Sequence, residues 1–120
     1  SGKKIPFVNE NTNMKKALEL ITQKKLGILI AINQRKITTG IITDGQIRRS
    51  SHKNESLITS SVKKIMTKNP ISVDKNMLAV KALAIMSDKK ITSLCVHKGT
   101  KRGKTIGVLH IHNILDGNIS

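Results

Sequence analysis

Two stretches of the sequence combine polar side chains with the junction between a strand and a helix. They are GIITDGQIRRS (residues 40–50) and GVLHIHNILDG (residues 107–117). Each opens on a glycine and apolar residues, which predict the end of a strand. A helix that begins at such a point presents unpaired backbone N–H groups and the positive end of its dipole, so an anion is stabilised there. The chemistry that these residues indicate is anion binding.

The candidate binding residues carry hydroxyl, carboxylate, amide, guanidinium or imidazole groups. They are Thr43, Asp44, Gln46, Arg48, Thr92, Ser93, His110, His112 and Asn113. Arginine and histidine suit a phosphate plus a carboxylate better than a neutral sugar. Two alternatives need no ligand: Asp44 could be the N-cap of the following helix, and Arg48-Arg49 could be a solvated helix face or a dimer contact.

Catalysis and metal binding find little support in the sequence. The chain has only 7 Asp+Glu, with no acid pair and no Ser/His/Asp order, and Cys95 falls in an apolar strand pattern where a thiol is normally inert. His110 and His112 lie two residues apart, with His97 elsewhere, and zinc would need a fourth well-spaced ligand. We therefore predict no catalytic residue, no metal and no cofactor in this chain.

The elements that position these residues occur twice. Met14, Ala17, Leu18 and Ile21 have the i, i+3, i+4, i+7 spacing of an amphipathic helix, and the spacing returns from residue 79 to residue 86. Each helix leads into an apolar run that predicts a buried strand, at residues 27–32 and 93–96. The second strands begin at Gly40 and Gly107.

The complete repeat is predicted as β-α-β-β-α in the α/β class. Extended pieces open the copies at residues 5–8 and 70–73, and short helices close them at residues 44–50 and 112–116. We predict a first repeat at residues 1–50, a linker at 51–69 with a short helix near 61–66, and a second repeat at 70–120. One copy is too small to bury its own sheet and helices, so the two should pack with pseudo-two-fold symmetry around a ligand-binding cleft.

Composition limits the remaining functions. The formal charge is +15, from 22 Lys+Arg against 7 Asp+Glu, but the lysines are scattered pairs and Phe7 is the only aromatic residue. Single-strand binders usually supply several stacking aromatics, so we favour a solvated basic surface over a nucleic-acid partner. Lone Cys95 excludes an internal disulfide. No apolar run approaches the roughly 20 residues of a membrane span, and no signal peptide is evident, so we predict a cytoplasmic protein.

The repeat, with MTKNPISV between its copies, resembles a pair of CBS domains, the Bateman module. LGILI, GIITDGQIRR, KKITSLCV and GVLHIHNILDG, in this order, are similar to the C-terminal half of bacterial arabinose 5-phosphate isomerases of the Kdo pathway. The resemblance covers roughly residues 5–117. It implies that a sugar isomerase domain carrying the aldose–ketose chemistry would precede Ser1.

The resemblance also implies roles for the junction residues. Thr43 takes the position of a threonine that contacts phosphate, and Gln46 the position of an aspartate that binds two ribose hydroxyls. In the second copy His110 and Asn113 stand at these positions. The implied function is a regulatory and oligomerisation module, homodimeric, that binds a nucleotide or the pathway's end product CMP-Kdo. A ligand-free dimerisation module is the alternative, and a basic nucleic-acid-binding domain the third.

Overall fold

The computed structural model describes residues 5–24, 27–53 and 57–111. The chain divides into two compact units, and the boundary lies between Pro70 and Ile71. Each unit has its own sheet and its own cluster of buried apolar side chains.

The first unit contains a four-stranded sheet in the order β1-β2-β3-β4. Its elements are β1 (Phe7–Asn9), α1 (Met14–Lys24), β2 (Ile28–Ile32), β3 (Thr38–Thr43), α2 (Asp44–Lys53), a 3-10 helix (Leu57–Thr59), α3 (Val62–Ile65) and β4 (Thr67–Lys68). β1 runs parallel to β2, whereas β3 is antiparallel to both β2 and β4. The predicted β-α-β-β-α order is therefore present, with an additional edge strand.

The second unit repeats this topology with a three-stranded sheet in the order β5-β6-β7. Its elements are β5 (Ser72–Asp74), α4 (Ala79–Lys89), β6 (Ser93–His97) and β7 (Gly107–His110). β5 is parallel to β6 and β7 is antiparallel to it, as in the first unit. The helix predicted at residues 112–116 lies outside the described residues.

Helix α1 forms where the apolar spacing predicts it. The Asn13 side chain caps its start, because Oδ1 accepts the Lys16 N–H at 2.9 Å. Met14, Ala17 and Ile21 are buried in the first core. The corresponding helix α4 buries Ala82 and Met86, and it ends at Lys90, whose left-handed conformation lets its N–H reach the carbonyls of Met86 and Ser87.

The segment between the predicted repeats packs into the first unit. Leu57, Val62 and Met66 all lie in its buried cluster. The predicted short helix near 61–66 is confirmed as α3. Strand β4 was not predicted: both of its residues are exposed, and two residues give no alternation for a sequence pattern to detect. The repeat boundaries of 1–50, 51–69 and 70–120 stay a prediction.

Among the described residues, no helix is both long and apolar enough to cross a membrane.

The turn after β5 holds the Asp74 carboxylate in two backbone hydrogen bonds. The backbone N–H groups of Asn76 and Gly99 each donate to the Asp74 carboxylate at 2.8 Å. These bonds hold the pKa of Asp74 below its usual value.

We expect Asp74→Asn to flatten the acid limb of the stability curve. Below about pH 3.9 the unfolded chain takes up a proton at Asp74 that the folded chain does not, so the free energy of unfolding falls as pH drops toward the lowered pKa. Asp74→Asn removes this loss. The measurement is Tm against pH for both proteins, from neutral pH to about pH 3. Parallel curves would contradict the prediction.

Candidate functional site

The junction between β3 and α2 is the best-defined candidate site. Thr43 ends β3, and its Oγ1 accepts the Gln46 backbone N–H at 3.2 Å. The Asp44 N–H donates to the Gly27 carbonyl at 3.0 Å, which ties the start of α2 to the residue before β2. Because Gly27 has a φ of 70°, this turn favours glycine.

This geometry corrects the interpretation of Asp44 as the N-cap. Helix α2 begins at Asp44, and the preceding residue, Thr43, supplies the capping oxygen. The reason is distance along the helix: a cap must reach the N–H of the second or third helical residue, and Gln46 is the third. The Thr43 hydroxyl retains its proton and can still donate to an anion.

Gln46 is drawn into the interior of the first unit. Its Nε2 donates to the carbonyl of Ile65 at the end of α3, while Oε1 is buried without a hydrogen-bond partner. The sequence could not indicate this contact, because Ile65 contributes a backbone atom 19 residues away. An amide held in this way is directed at Ile65 and not at a ribose.

Two arginines follow on α2. Arg48 and Arg49 are both exposed. Arg49 Nη1 lies 3.2 Å from the point that a Cβ on Gly45 would occupy, so its guanidinium lies beside the first turn of α2. Arg49 was predicted only as a solvated residue or a dimer contact, and this geometry adds it to the candidate site.

The second junction places Ser93 opposite His110 across β6 and β7. Ser93 is buried, His110 is partly buried and the adjacent Thr92 is exposed. The Thr92 carbonyl accepts the Ile111 N–H at 2.8 Å. The Ser93–His110 pair of the second unit corresponds to the Ile28–Thr43 pair of the first unit. A serine therefore takes the place of the isoleucine. His112 and Asn113, the remaining predicted site residues, lie outside the described part of the chain.

Other polar groups of the second unit have internal roles. Ser72 Oγ lies 2.6 Å from Nδ1 of the buried His97. Burial raises the pKa of the Cys95 thiol, and a hydrogen bond with Thr105 opposes this rise. The thiol is therefore protonated at neutral pH, which agrees with the predicted inert cysteine. Within residues 5–24, 27–53 and 57–111, no three His, Cys, Asp or Glu side chains come together as metal ligands.

Comparison with known families decides the identity of this architecture. A family model described as the CBS domain matches residues 2–53 and 62–118. The chain belongs to the CBS domain family. The match confirms the family resemblance found in the sequence.

The chain is similar to only one part of longer curated proteins. It is 35% identical to an uncharacterized protein of Rickettsia prowazekii over 100% of its own length and 36% of that protein. It is 34% identical to the arabinose 5-phosphate isomerase of Yersinia pestis over 99% of its own length and 35% of that enzyme. This CBS chain thus spans about a third of the length of the curated relatives it matches.

Solved structures share the CBS fold. A CBS-domain containing protein from Agrobacterium tumefaciens superposes with a TM-score of 0.86 at 18% identity, covering 99% of this chain and 87% of that one. A CBS domain protein from Pyrobaculum aerophilum, complexed with AMP, has a TM-score of 0.81 at 19% identity and covers 92% of this chain and 84% of that one. The predicted CBS fold is confirmed.

Gln46→Glu is expected to destabilise the CBS chain in a pH-dependent way. At neutral pH the ionised carboxylate of the new glutamate has no proton to donate to the Ile65 carbonyl. Two hydrogen-bond acceptors, the carboxylate and the carbonyl oxygen, would then face each other. We expect a loss of about 2 kcal/mol in the free energy of unfolding. At about pH 4 much of the carboxyl is protonated and can donate, so the loss should shrink.

Chemical denaturation of both proteins at the two pH values tests this expectation. Gln23→Glu is the matched control, because it makes the same change at an exposed position of α1. A Gln46→Glu penalty equal to that of the control, or independent of pH, would contradict the hydrogen bond to Ile65.

Proposed function

We propose that this CBS pair is the regulatory module of a sugar-phosphate isomerase of the arabinose 5-phosphate type. It binds an anionic nucleotide or a CMP-linked sugar acid such as CMP-Kdo at the strand-to-helix junctions of its repeats. The observation that carries the proposal is the 34% identity to an arabinose 5-phosphate isomerase along 99% of this chain. The isomerase chemistry would reside in a covalently attached domain, because this chain spans 35% of that enzyme.

The β3–α2 junction supports an anionic ligand. Two N–H groups of the first turn of α2 are already used, since Asp44 donates to Gly27 and Gln46 donates to Thr43. The N–H of Gly45 is the next donor along this turn, and the Arg49 guanidinium lies beside it. A phosphate or carboxylate held here would gain a backbone donor, the Thr43 hydroxyl and a positive charge.

The second junction supports the same ligand class. His110 stands at the position of Thr43, and His112 and Asn113 follow it in sequence. A histidine donates to an anion from either ring nitrogen when it is protonated. The AMP complex of the Pyrobaculum aerophilum protein shows that this fold holds a nucleotide in another member. Regulation would follow from thermodynamic linkage. If the attached isomerase domains exist in two arrangements, a ligand shifts the equilibrium between them only by the difference in its affinity for the two.

The test is a thermal-shift panel at fixed ionic strength with AMP, ATP, CMP, CMP-Kdo and arabinose 5-phosphate. A ligand present at 100 times its Kd should add about 2.7 kcal/mol, a rise of several degrees in Tm. Arg49→Gln should reduce this rise, whereas Arg102→Gln, an equal charge change on an exposed loop, should leave it unchanged. A response to the cytidine compounds alone would support a feedback sensor of CMP-Kdo.

A ligand-free dimerisation module is the second candidate, and the Gln46 contact favours it. The amide at the predicted ribose position is bound to the Ile65 carbonyl. No response to any compound in the panel would reject ligand sensing and leave this second function. Nucleic-acid binding, the third candidate, would instead show a steep decrease of affinity with salt.

A further inference from the structure

Five cationic side chains lie at one end of the second unit, which we call the basic end. They come from the turn that follows β5 and from the loop that joins β6 to β7. All five are exposed, and they are Lys75, Lys98, Lys101, Arg102 and Lys104. The sheet register brings the turn and the loop together, because Asp74 ends β5 opposite His97, which ends β6. In residues 74–78 and 97–106, Asp74 is the only acidic side chain.

Hydrogen bonds hold the loop of the basic end in a defined shape. The N–H of Lys101 donates to the Lys98 carbonyl at 3.2 Å, and the N–H of Lys104 donates to the Lys101 carbonyl at 3.1 Å. The N–H of Gly99 donates to the Asp74 carboxylate at 2.8 Å, which ties the loop to the turn after β5. The backbone of the basic end is therefore fixed while its cationic side chains face solvent.

The corresponding end of the first unit carries much less positive charge. Its strands β2 and β3 are joined by a shorter connection, in which Arg35 and Lys36 are the cations. The turn after β1 carries Glu10 at the position that Lys75 has in the second unit. The two units share one topology, so the basic end is a property of the second repeat and not of the fold.

Two large aliphatic side chains are exposed beside these cations. Leu78 is 65% exposed where the turn after β5 ends, and Ile106 is 48% exposed where the loop ends. Cations next to exposed aliphatic groups suit an anionic lipid surface, because the cations attract the headgroups and the aliphatic groups enter the boundary with the acyl chains. Single-stranded nucleic acids are bound by stacking aromatics, and residues 74–78 and 97–106 contain no Phe, Tyr or Trp. The composition of the basic end therefore favours a lipid surface.

We propose that the basic end of the second repeat docks this chain on an anionic lipid surface. Such peripheral binding needs no helix that spans the membrane. It also leaves the candidate ligand site accessible, because Ser93 and His110 lie at the opposite end of β6 and β7. The four-residue step from Ser93 to His97 corresponds to about 13 Å along the strand. Docking therefore does not depend on the proposed ligand.

Cosedimentation of the chain with lipid vesicles tests the proposal. We expect binding to vesicles of phosphatidylcholine with about 30% phosphatidylglycerol at about 0.1 M salt, and release at about 0.5 M salt, which screens the charges. Vesicles of phosphatidylcholine alone should leave the chain in solution. Inorganic phosphate in place of chloride, at constant ionic strength, should not release the chain. Release by phosphate would mean a site for the free anion and would overturn docking on a lipid surface.

Lys98→Gln combined with Lys101→Gln removes two of the five cations. Each cation near an anionic surface contributes roughly fivefold to partitioning, so this double variant should bind the vesicles about 25-fold more weakly. The matched control is Arg35→Gln combined with Lys36→Gln, which makes the same charge change in the corresponding connection of the first repeat. The control should weaken binding by less than about threefold, because screening limits the attraction of charges away from the surface.

Leu78→Ser tests the apolar part of the contact. Loss of an aliphatic side chain that enters the lipid boundary should weaken vesicle binding about tenfold. Ile58→Ser is its control, because Ile58 is a similarly exposed aliphatic residue of the first unit, at 53%, and its loss should leave binding unchanged. Circular dichroism checks that every variant is folded.

Three results would overturn the proposal. The first is no binding to the anionic vesicles. The second is an equal loss in the two double variants, which would show that the total charge of +15 attracts the chain and not the basic end. The third is binding of duplex RNA, sensitive to Lys98 and Lys101, without binding of vesicles, which would assign the basic end to a nucleic acid. The thermal-shift panel contains no lipid, so the proposed regulatory function stands or fails separately.

Discussion

Gly40→Ala is expected to lower the free energy of unfolding by about 3 kcal/mol, which corresponds to roughly 10 °C in Tm for a domain of this size. A Cβ at Gly40 would lie 2.6 Å from Met66 Cγ and 2.8 Å from the carbonyl oxygen of Thr67. The second contact is with backbone, so rotation of a side chain cannot relieve it. The β3–β4 pairing between Gly40 and Lys68 would have to move apart.

The second repeat provides the matched control for this substitution. Gly107, the first residue of β7, corresponds to Gly40 in the first repeat. A Cβ added at Gly107 would lie 3.8 Å from its nearest neighbour, the Cβ of Val96. That is ordinary van der Waals contact, so Gly107→Ala should change stability by less than about 0.5 kcal/mol. Thermal melts followed by circular dichroism compare the two. Equal effects at both glycines would show that Met66 and Thr67 do not crowd Gly40.

Leu29→Ala is expected to cost about 2–5 kcal/mol, the range for removing a large aliphatic side chain from a packed core. Leu29 is 1% exposed in β2, a strand with neighbours on both edges. The truncated side chain leaves a cavity that the paired backbones of β1 and β3 cannot close. Urea unfolding at constant slope m measures the loss.

Ile58→Ala is the control for Leu29→Ala. Ile58 is 53% exposed in the 3-10 helix, so its truncation removes little buried area and should cost well under about 1 kcal/mol. A Leu29→Ala loss no larger than that of Ile58→Ala would mean that β2 is not the centre of the first core.

The parts of the fold that the sequence predicted are those with a repeating apolar pattern. The spacing that begins at Met14 predicted α1, and the run ending at Ile32 predicted the buried strand β2. Patterns failed where elements are short or polar. Strand β4 has two exposed residues, and α2 continues past the predicted end at Ser50 to Lys53 through residues without an apolar period.

The candidate site was predictable in residue type and less so in hydrogen bonding. Thr43 and Gln46 were expected at the junction, and the structure places both there. Their partners were not predictable, because the Gly27 and Ile65 acceptors are backbone carbonyls that every residue possesses. Which carbonyl a side chain reaches depends on how α2 and α3 pack, and no local pattern encodes that distance.

The aliphatic core determines how this protein can be observed. With no Trp or Tyr and with Phe7 42% exposed, the buried contacts are made almost entirely by Ile, Leu, Val, Met and Ala. Near-ultraviolet absorbance and intrinsic fluorescence will report almost nothing of its tertiary structure. Methyl groups, in contrast, occupy both cores, so methyl-labelled nuclear magnetic resonance would place a probe at nearly every packing contact. Repacking on ligand binding or on association would be visible there before any optical signal changed.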